Sequence, residues 1–309
     1  MSASDSPTAN TWPALAYADW ADTCNTLHLW TQVVGKVKLR LAPLVNHWWG
    51  VTLFVNARGL TTGAMPYGGR TLQIDFDFCA HELVLRTSDS REQRIPLRPM
   101  PTADFYAAVR AALRALDIHV RIWTMPSEID GAIPFDQDRL HASYDGAAAQ
   151  AFWRQLVQAD RVFNAFRARY LGKVSPVHFF WGSFDLAVTR FSGRAAPPLT
   201  GGKTPNVAPW VMQEAYSHEC SSLGFWPGNG GYGRAAFYSY AYPEPEGFGA
   251  SPVRPQGAAY NADVGQFLID YDAVRMAASP DDALLAFAQS SYEAAAIQGK
   301  WDRKALERE

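Results

Sequence analysis

Apolar and polar positions alternate through much of the first half of the chain. Val37, Leu39 and Leu41 share one side of a short run, and Val51 to Ala57 forms another, stopped by Arg58-Gly59. Leu72 to Phe78 alternates throughout, with Leu72, Ile74, Phe76 and Phe78 on one face and Gln73, Asp75 and Asp77 on the other. Leu83 to Arg86 follows a turn at Ala80 to Glu82. A period of two predicts an antiparallel meander with one wet face. Asp75 and Asp77 are then solvated strand residues and not a catalytic pair.

The period lengthens after Met100. Thr102 as N-cap, Asp104 in the first turn and the stripe Phe105, Val109, Ala112, Leu113 and Leu116 predict a helix. Val120 to Trp123 reads as a strand. Thr124 to Asp145 is a long irregular stretch holding Pro126, Gly131 and Pro134, and it carries Glu128, Asp136, His141 and Tyr144. Loops of that length are uncommon unless they have a function. A second helix is expected over Ala147 to Leu171, with Phe152, Leu156, Phe163, Phe166 and Tyr170 on one face and Gly172 ending it.

The second half has the same style. Val177 to Phe191 is strand-like, Arg194 to Pro209 is a Pro/Gly loop, and residues 224–234 hold five glycines. Ala235 to Tyr242 and Gly265 to Tyr271 read as strands. A last helix starts with Ser279 as N-cap, Pro280 at its first position and Asp281-Asp282 in its first turn. Leu285, Ala288 and Tyr292 give its buried stripe. The expected fold is therefore α+β, a mostly antiparallel β-sheet covered by three main helices. A single domain over 1–309 is expected. It is a candidate internal two-fold pseudo-repeat, with similar halves 20–125 and 172–298 joined by a loop and helix over 126–171.

Charge then narrows the function. With 28 Lys+Arg against 30 Asp+Glu the net charge is -2, which lacks the basic surplus of a nucleic-acid binder. Met1 to Asn10 has neither the basic start nor the apolar stretch of a secretion signal, and no run approaches the ~18 to 20 apolar residues of a membrane span. Cys24, Cys79 and Cys220 form no CxxC. The expectation is a cytoplasmic protein with reduced thiols and a small-molecule ligand, and with neither nucleic acid nor membrane as partner.

The 11 Trp, 13 Tyr and 17 Phe cluster at Trp48-Trp49, Phe179-Phe180-Trp181, Phe225-Trp226 and Phe237 to Tyr240. They serve either a core and sheet surfaces or an aromatic pocket for an organic ligand. The chain has no GxGxxG after a strand, no GxxxxGK[ST], no HExxH and no GxSxG. Glu214 to Trp226 is the densest polar segment in aromatic surroundings and holds Tyr216, Ser217, His218, Glu219 and Cys220. His178 to Arg194 is the second. On one continuous strand, His178 and Asp185 fall on opposite faces unless a bulge at Gly182-Ser183 shifts the register.

Two His and a carboxylate suit an open-sited divalent transition metal, Zn, Fe or Mn, and His178, His218 and Glu219 are the candidate ligands, with His28 and His47 in reserve. Adjacent His218 and Glu219 point apart on a regular strand. Without metal, His218 would be the general base, with Glu219 or Glu214 orienting it. Arg190 or Arg194 would hold an anionic group, Lys36 having a weaker claim. Trp181, Tyr216, Trp226 and Tyr240 would line the pocket. Glu128 qualifies as acid or base only if burial raises its pKa.

Whole phrases of the chain are familiar: "LHLWTQVVGKVKL" at 27–39, "HWWGVTLFVNARGLTT" at 47–62, "DFYAAV" at 104–109, "RIWTMPSEI" at 121–129, "HFFWGSFDLAVTRFSGR" at 178–194, "EAYSHECSSLGFWPG" at 214–228 and "FYSYAYPEP" at 237–245. Over nearly its whole length the chain resembles a bacterial family catalogued as a domain of unknown function. The resemblance implies a cytoplasmic single-domain protein and passes on no catalytic residue. The leading expectation is a small-molecule enzyme doing hydrolysis or oxidation with His/Glu chemistry. The alternatives are a binding protein without turnover, acting as sensor or carrier, and a scaffold whose exposed aromatics form an interface.

Overall fold

The computed structural model describes residues 11–200 and 203–308. The chain opens with a long helix, α1 (Tyr17–Leu41), and the run Val37 to Leu41 is its final segment and not a strand. Every residue from Leu27 to Lys38 is buried. A helix enclosed on all sides shows no amphipathic stripe, so its period is hidden in the sequence. With α2 (Thr102–Ala115), α3 (Gly146–Ala168) and α6 (Pro280–Gln298), this makes four long helices where three were expected.

The first sheet contains β1 (Phe54–Asn56), β2 (Gly59–Thr61), β3 (Met65–Tyr67), β4 (Arg70–Asp77), β5 (Glu82–Thr87) and β6 (Glu92–Pro96). It is antiparallel in the order β1-β2-β4-β5-β6, with β3 also on β4. Leu72, Ile74 and Phe76 face the core, where Phe76, Phe105 and Trp30 stack in succession. Asp75 and Asp77 lie on the other face, covered by Arg86 and Arg58 at 2.9 and 2.6 Å. Val120 to Trp123 pairs with no strand and runs as irregular chain along a cavity rim.

The second sheet contains β7 (His178–Phe180), β8 (Asp185–Ala195), β9 (His218–Trp226), β10 (Ala236–Tyr242), β11 (Ala259–Asn261) and β12 (Gln266–Asp270), antiparallel in the order β11-β12-β10-β9-β8-β7. Leu53 and Phe179 exchange backbone hydrogen bonds of 2.9 and 2.7 Å, which joins the two sheets edge to edge. The apolar side chains of one face, among them Leu186, Val188, Phe225 and Phe237, belong to the core, where α3 packs on β8 and α6 on β9 and β10. Each half runs long helix, six strands, long helix, but the two sheets pair their strands in different orders, and a duplication is not established. The short helices are α4 (Pro209–Ala215), α5 (Tyr271–Arg275) and α7 (Arg303–Leu306), with a 3-10 segment at Asn46–Val51. Among the described residues no helix is long and apolar enough to cross a membrane.

The segment expected as one strand, Val177 to Phe191, is broken by a turn at Trp181 to Phe184 into the hairpin β7–β8. Its register places Phe180 opposite Asp185 and His178 opposite Ala187. Opposed residues of an antiparallel pair share a face. His178 and Asp185 are therefore on the same side of the sheet, the reverse of what a continuous strand gives.

Candidate functional site

The uncovered face of the second sheet is the floor of a cavity of about 1330 Å3. Alternation along the strands supplies Asp185, Ala187 and Thr189 from β8, Cys220 and Ser222 from β9, and Tyr238 and Tyr240 from β10. α1 contributes His28 and Lys36 to the wall. The roof comes from Trp48 and Trp49, the loop Arg121 to Ile133, and the segment from Asn206 into α4. A second, more open cleft of about 470 Å3 at the start of α1 holds none of these groups.

Two carboxyl groups mark the cavity. Asp185 is buried; Ser183 Oγ donates to its Oδ1 at 2.5 Å and the Tyr238 hydroxyl donates to its Oδ2. Burial without a cation raises its pKa, against the pull of those two hydroxyls. Glu128 projects from the loop. Its side chain is exposed to the solvent that fills the cavity, although protein crowds around the carboxyl group. Burial first and the negative charge of Asp185 second push its pKa up to about 7. The Glu128 carboxylate lies against Gly182, where an added Cβ would sit 2.0 Å from Oε1. Glycine at 182 is what lets the carboxylate approach the sheet.

Glu128 holds φ +63°, a left-handed conformation that costs a non-glycine residue energy. Hydrogen bonds fix it there. Its N–H donates to Pro205 O at 2.7 Å, Ser127 N–H donates to Gln32 Oε1 at 2.8 Å, and Asn206 Nδ2 donates to Pro126 O at 2.9 Å. Two separate parts of the chain, α1 and the segment 205–206, thus hold one strained glutamate in the cavity, a pattern that marks functional sites.

α1 lays a polar stripe beside it. His28, Gln32 and Lys36 recur every four residues and so share a face. His28 Nε2 donates to Gly182 O at 2.8 Å, and burial lowers the ring's pKa to about 4, keeping it neutral. Gln32 Nε2 donates to Ser127 O at 2.9 Å. Lys36 Nζ donates to Ser127 Oγ at 3.0 Å and stands over the rings of Trp123 and Trp181, 5.0 and 6.0 Å from their centroids. On the floor, Tyr216 and Tyr240 share a 3.0 Å hydroxyl contact. Burial pushes Tyr216 up to about 12 and raises Tyr238 and Tyr240, so all three keep their protons.

Of the residues singled out in the sequence, Trp181, Tyr216, Trp226 and Tyr240 line this cavity. The proposed catalytic and metal-binding set does not assemble. His178 is wholly buried beneath Trp49 and Phe180, with Nδ1 against Thr52 Oγ1 and its pKa lowered by burial to about 3. His218 sits edge-on to His47 with Nδ1 on Ser217 Oγ. Glu219, next along the strand, turns to the opposite face, where Arg194 and Ser192 hold it. Glu214 lies on α4. Among the described residues no three His, Cys, Asp or Glu side chains converge as metal ligands.

The arginines expected to clamp an anion do not reach the cavity. Arg190 points to the opposite face, donates to Phe166 O and packs against the rings of Phe166, Tyr170 and Tyr292. Arg194 pairs with Glu219 and donates to Gly299 O at the end of α6. Of the reserve histidines, His47 donates from Nδ1 to Ala215 O and faces Lys173 Nζ at 2.6 Å. His141 pairs with Asp138 at 2.8 Å on the rim, and Tyr144 stacks on Trp30 in the core. Cys220 lies on the floor with its thiol pushed up to about 12 by burial, which leaves it protonated and unreactive.

No curated protein and no solved structure matches the chain. A family model does, over residues 12–308, under the description of a family of unknown function, DUF5996. Spanning nearly the whole fold just described, including every wall of the cavity, the match shows that the chain belongs to this family.

Proposed function

We propose that the chain is an enzyme acting on a small organic molecule held in this cavity, with Glu128 giving and taking the proton. The reading rests on one observation: Glu128, held in a left-handed conformation against Gly182, stands with Asp185 on the wall of an aromatic cavity, where crowding by protein and the charge of Asp185 push its carboxyl up to about 7. A group with a pKa of about 7 is present in both forms at neutral pH, as an acid–base catalyst requires. Asp185, anchored by Tyr238 and Ser183, tunes and orients it. The chemistry that such a carboxyl supplies is proton transfer, and hydrolysis is the class it fits best. The cations available for an anionic substrate are Arg40 and Arg121, which line the cavity in place of Arg190 and Arg194.

The test is a metabolite screen by native mass spectrometry followed by turnover assays on the captured ligand. Glu128→Gln keeps the shape and removes the titration. It should still bind the ligand and lose turnover. Equal turnover in the variant would sink the assignment. Binding without turnover in the wild type would make the protein a carrier or sensor.

A further inference from the structure

We propose that Lys36 is the covalent anchor of the cavity, its amine condensing with the aldehyde or ketone carbon of the bound molecule to form an imine. This deepens the enzyme reading above and rests on it for the identity of the site. The side chain is almost wholly buried along its length, yet it lines the cavity. It has no carboxylate within ion-pair distance among the described residues, although many of the chain's arginines do. Among the described residues its only hydrogen bond is to a neutral hydroxyl, Ser127 Oγ at 3.0 Å. The loop carrying that hydroxyl is fixed by two hydrogen bonds to Gln32, one helical turn earlier on α1. The amine is thus positioned, stripped of water and left uncompensated, between the indoles of Trp123 and Trp181.

That environment activates a lysine, because desolvation favours the free amine. Burial pushes the ammonium down to about 8. Lys38, two residues on, is buried too, but it donates to Thr52 O and packs on Phe54, away from the cavity. Burial alone therefore does not single out Lys36; its place on the cavity wall does.

The chemistry balances without an oxidant. The Nζ lone pair attacks the carbonyl carbon, a C–N bond forms, and the oxygen takes the proton that the amine gives up. The carbinolamine then loses its hydroxyl as water, with the Ser127 hydroxyl placed to relay protons. One carbonyl and one amine become one imine and one water.

Reductive trapping tests it on the wild-type chain alone. The probes are formaldehyde, small enough to enter any cavity, and 4-carboxybenzaldehyde, whose ring suits the aromatic walls, each with cyanoborohydride at pH 8. The chain has six lysines, so peptide mapping separates them. Lys36 should be modified at least about tenfold faster than the exposed Lys203, Lys300 and Lys304, in keeping with its larger free-amine fraction. Lys36→Arg, which keeps the charge and donors, should lose only this adduct; Lys36→Met serves if the arginine variant does not fold. Labelling of Lys36 no faster than of the exposed lysines, by both probes, overturns the proposal. Glu128→Gln should still form the adduct. An adduct together with normal Glu128→Gln turnover would overturn the acid–base reading and leave the imine standing. No adduct, with turnover lost in Glu128→Gln, would do the reverse.

Discussion

The two sheets are both six-stranded and antiparallel, and each is flanked in sequence by long helices, yet their outer faces are finished differently. On the first sheet the outer face carries a lattice of ion pairs: Arg86 with Asp75 and Glu92, Arg94 with Glu82 and Glu92, Arg58 with Asp77. On the second, the corresponding polar side chains lie under a roof of loops and short helices. Asp77 and Asp185 show what the roof does. Burial works against the ionised form of Asp77, but Arg58 and the N–H groups of Ala80 and Cys79 outweigh it and hold the carboxyl low. Asp185 has hydroxyls for partners and no cation, and its pKa rises. The same residue type on the same kind of strand, buried to the same degree, is a paired carboxylate in one half and a tuned acid in the other. Enclosure without a counter-charge makes the difference.

The largest effect expected from this contrast is on catalysis. Glu128→Gln should lower kcat on the cavity's ligand by about 10²- to 10⁴-fold. Asp75→Asn should leave it unchanged, because Asp75 is covered by Arg86 and Gln73 on the first sheet, away from the cavity. In the wild type, rate should follow an ionisation near pH 7, and Asp185→Asn should move that ionisation downward by removing the neighbouring charge. An unmoved profile would break the link between the two carboxyls.

The next effect is on stability against pH. His28 is neutral in the fold, with its pKa lowered from 6.5 to about 4. The unfolded chain protonates first, so stability is full above pH 6.5 and is lost as pH falls toward 4, by about 3 kcal/mol for this ring alone. Glu128 has the opposite sign. Its pKa is raised from 4.5 to about 7, so the unfolded chain ionises first and stability falls as pH rises between those values. Between pH 4.5 and 6.5 the two oppose each other. Denaturant melts of His28→Gln and Glu128→Gln across this window should show each slope removed singly; a variant with an unchanged slope would show that its group does not titrate as described.

The smaller effects separate what the sequence made legible from what it hid. The meander, α2, α3 and the Pro280 start of α6 were visible from local periodicity and helix-start chemistry, although Ser279 makes no cap hydrogen bond and Asp75 and Asp77, expected as solvated, are buried under arginines. α1 was not, because its buried polar side chains interrupt any apolar count; the stripe His28, Gln32, Lys36 becomes a signal only once residues 17–41 are taken as helix. Trp181, Tyr216, Trp226 and Tyr240, picked out in the sequence, line the cavity. Glu128 was conditional on burial; it stays exposed to the cavity, and its crowded setting depends on a hairpin turn and on anchors from α1 and the segment 205–206 that no local pattern encodes. The emphasis on His178, His218 and Glu219 followed local density of polar residues, which does not reveal that strand alternation sends Glu219 to the other face. Backbone strain at Glu128 gives a check on those anchors. Because φ is +63° there, Glu128→Gly should be more stable than Glu128→Ala by about 1 kcal/mol, the reverse of the order in a helix interior. Equal melts would show that the loop relaxes once the glutamate is gone.

The finest test compares the two aspartates directly, with amides that keep shape and hydrogen-bonding capacity. Asp77 has a depressed pKa, so its contribution is present above the unfolded value of 3.8 and is lost as pH falls through the folded one. Asp77→Asn should therefore destabilise at pH 7 by about 0.5–1 kcal/mol, the modest worth of a partly exposed ion pair. Asp185 has a raised pKa, so the unfolded chain ionises first and stability falls as pH rises above 3.8. Asp185→Asn removes a buried charge while Tyr238 can still donate to the amide oxygen, and it should stabilise at pH 7 by a similar ~0.5–1 kcal/mol. At pH 3, where the wild-type Asp185 is already neutral, that gain should vanish. Opposite signs at pH 7 would confirm that the roof has turned a structural carboxylate into one held at a cost to the fold. If both variants lose stability alike, the second sheet's outer face is merely a covered version of the first.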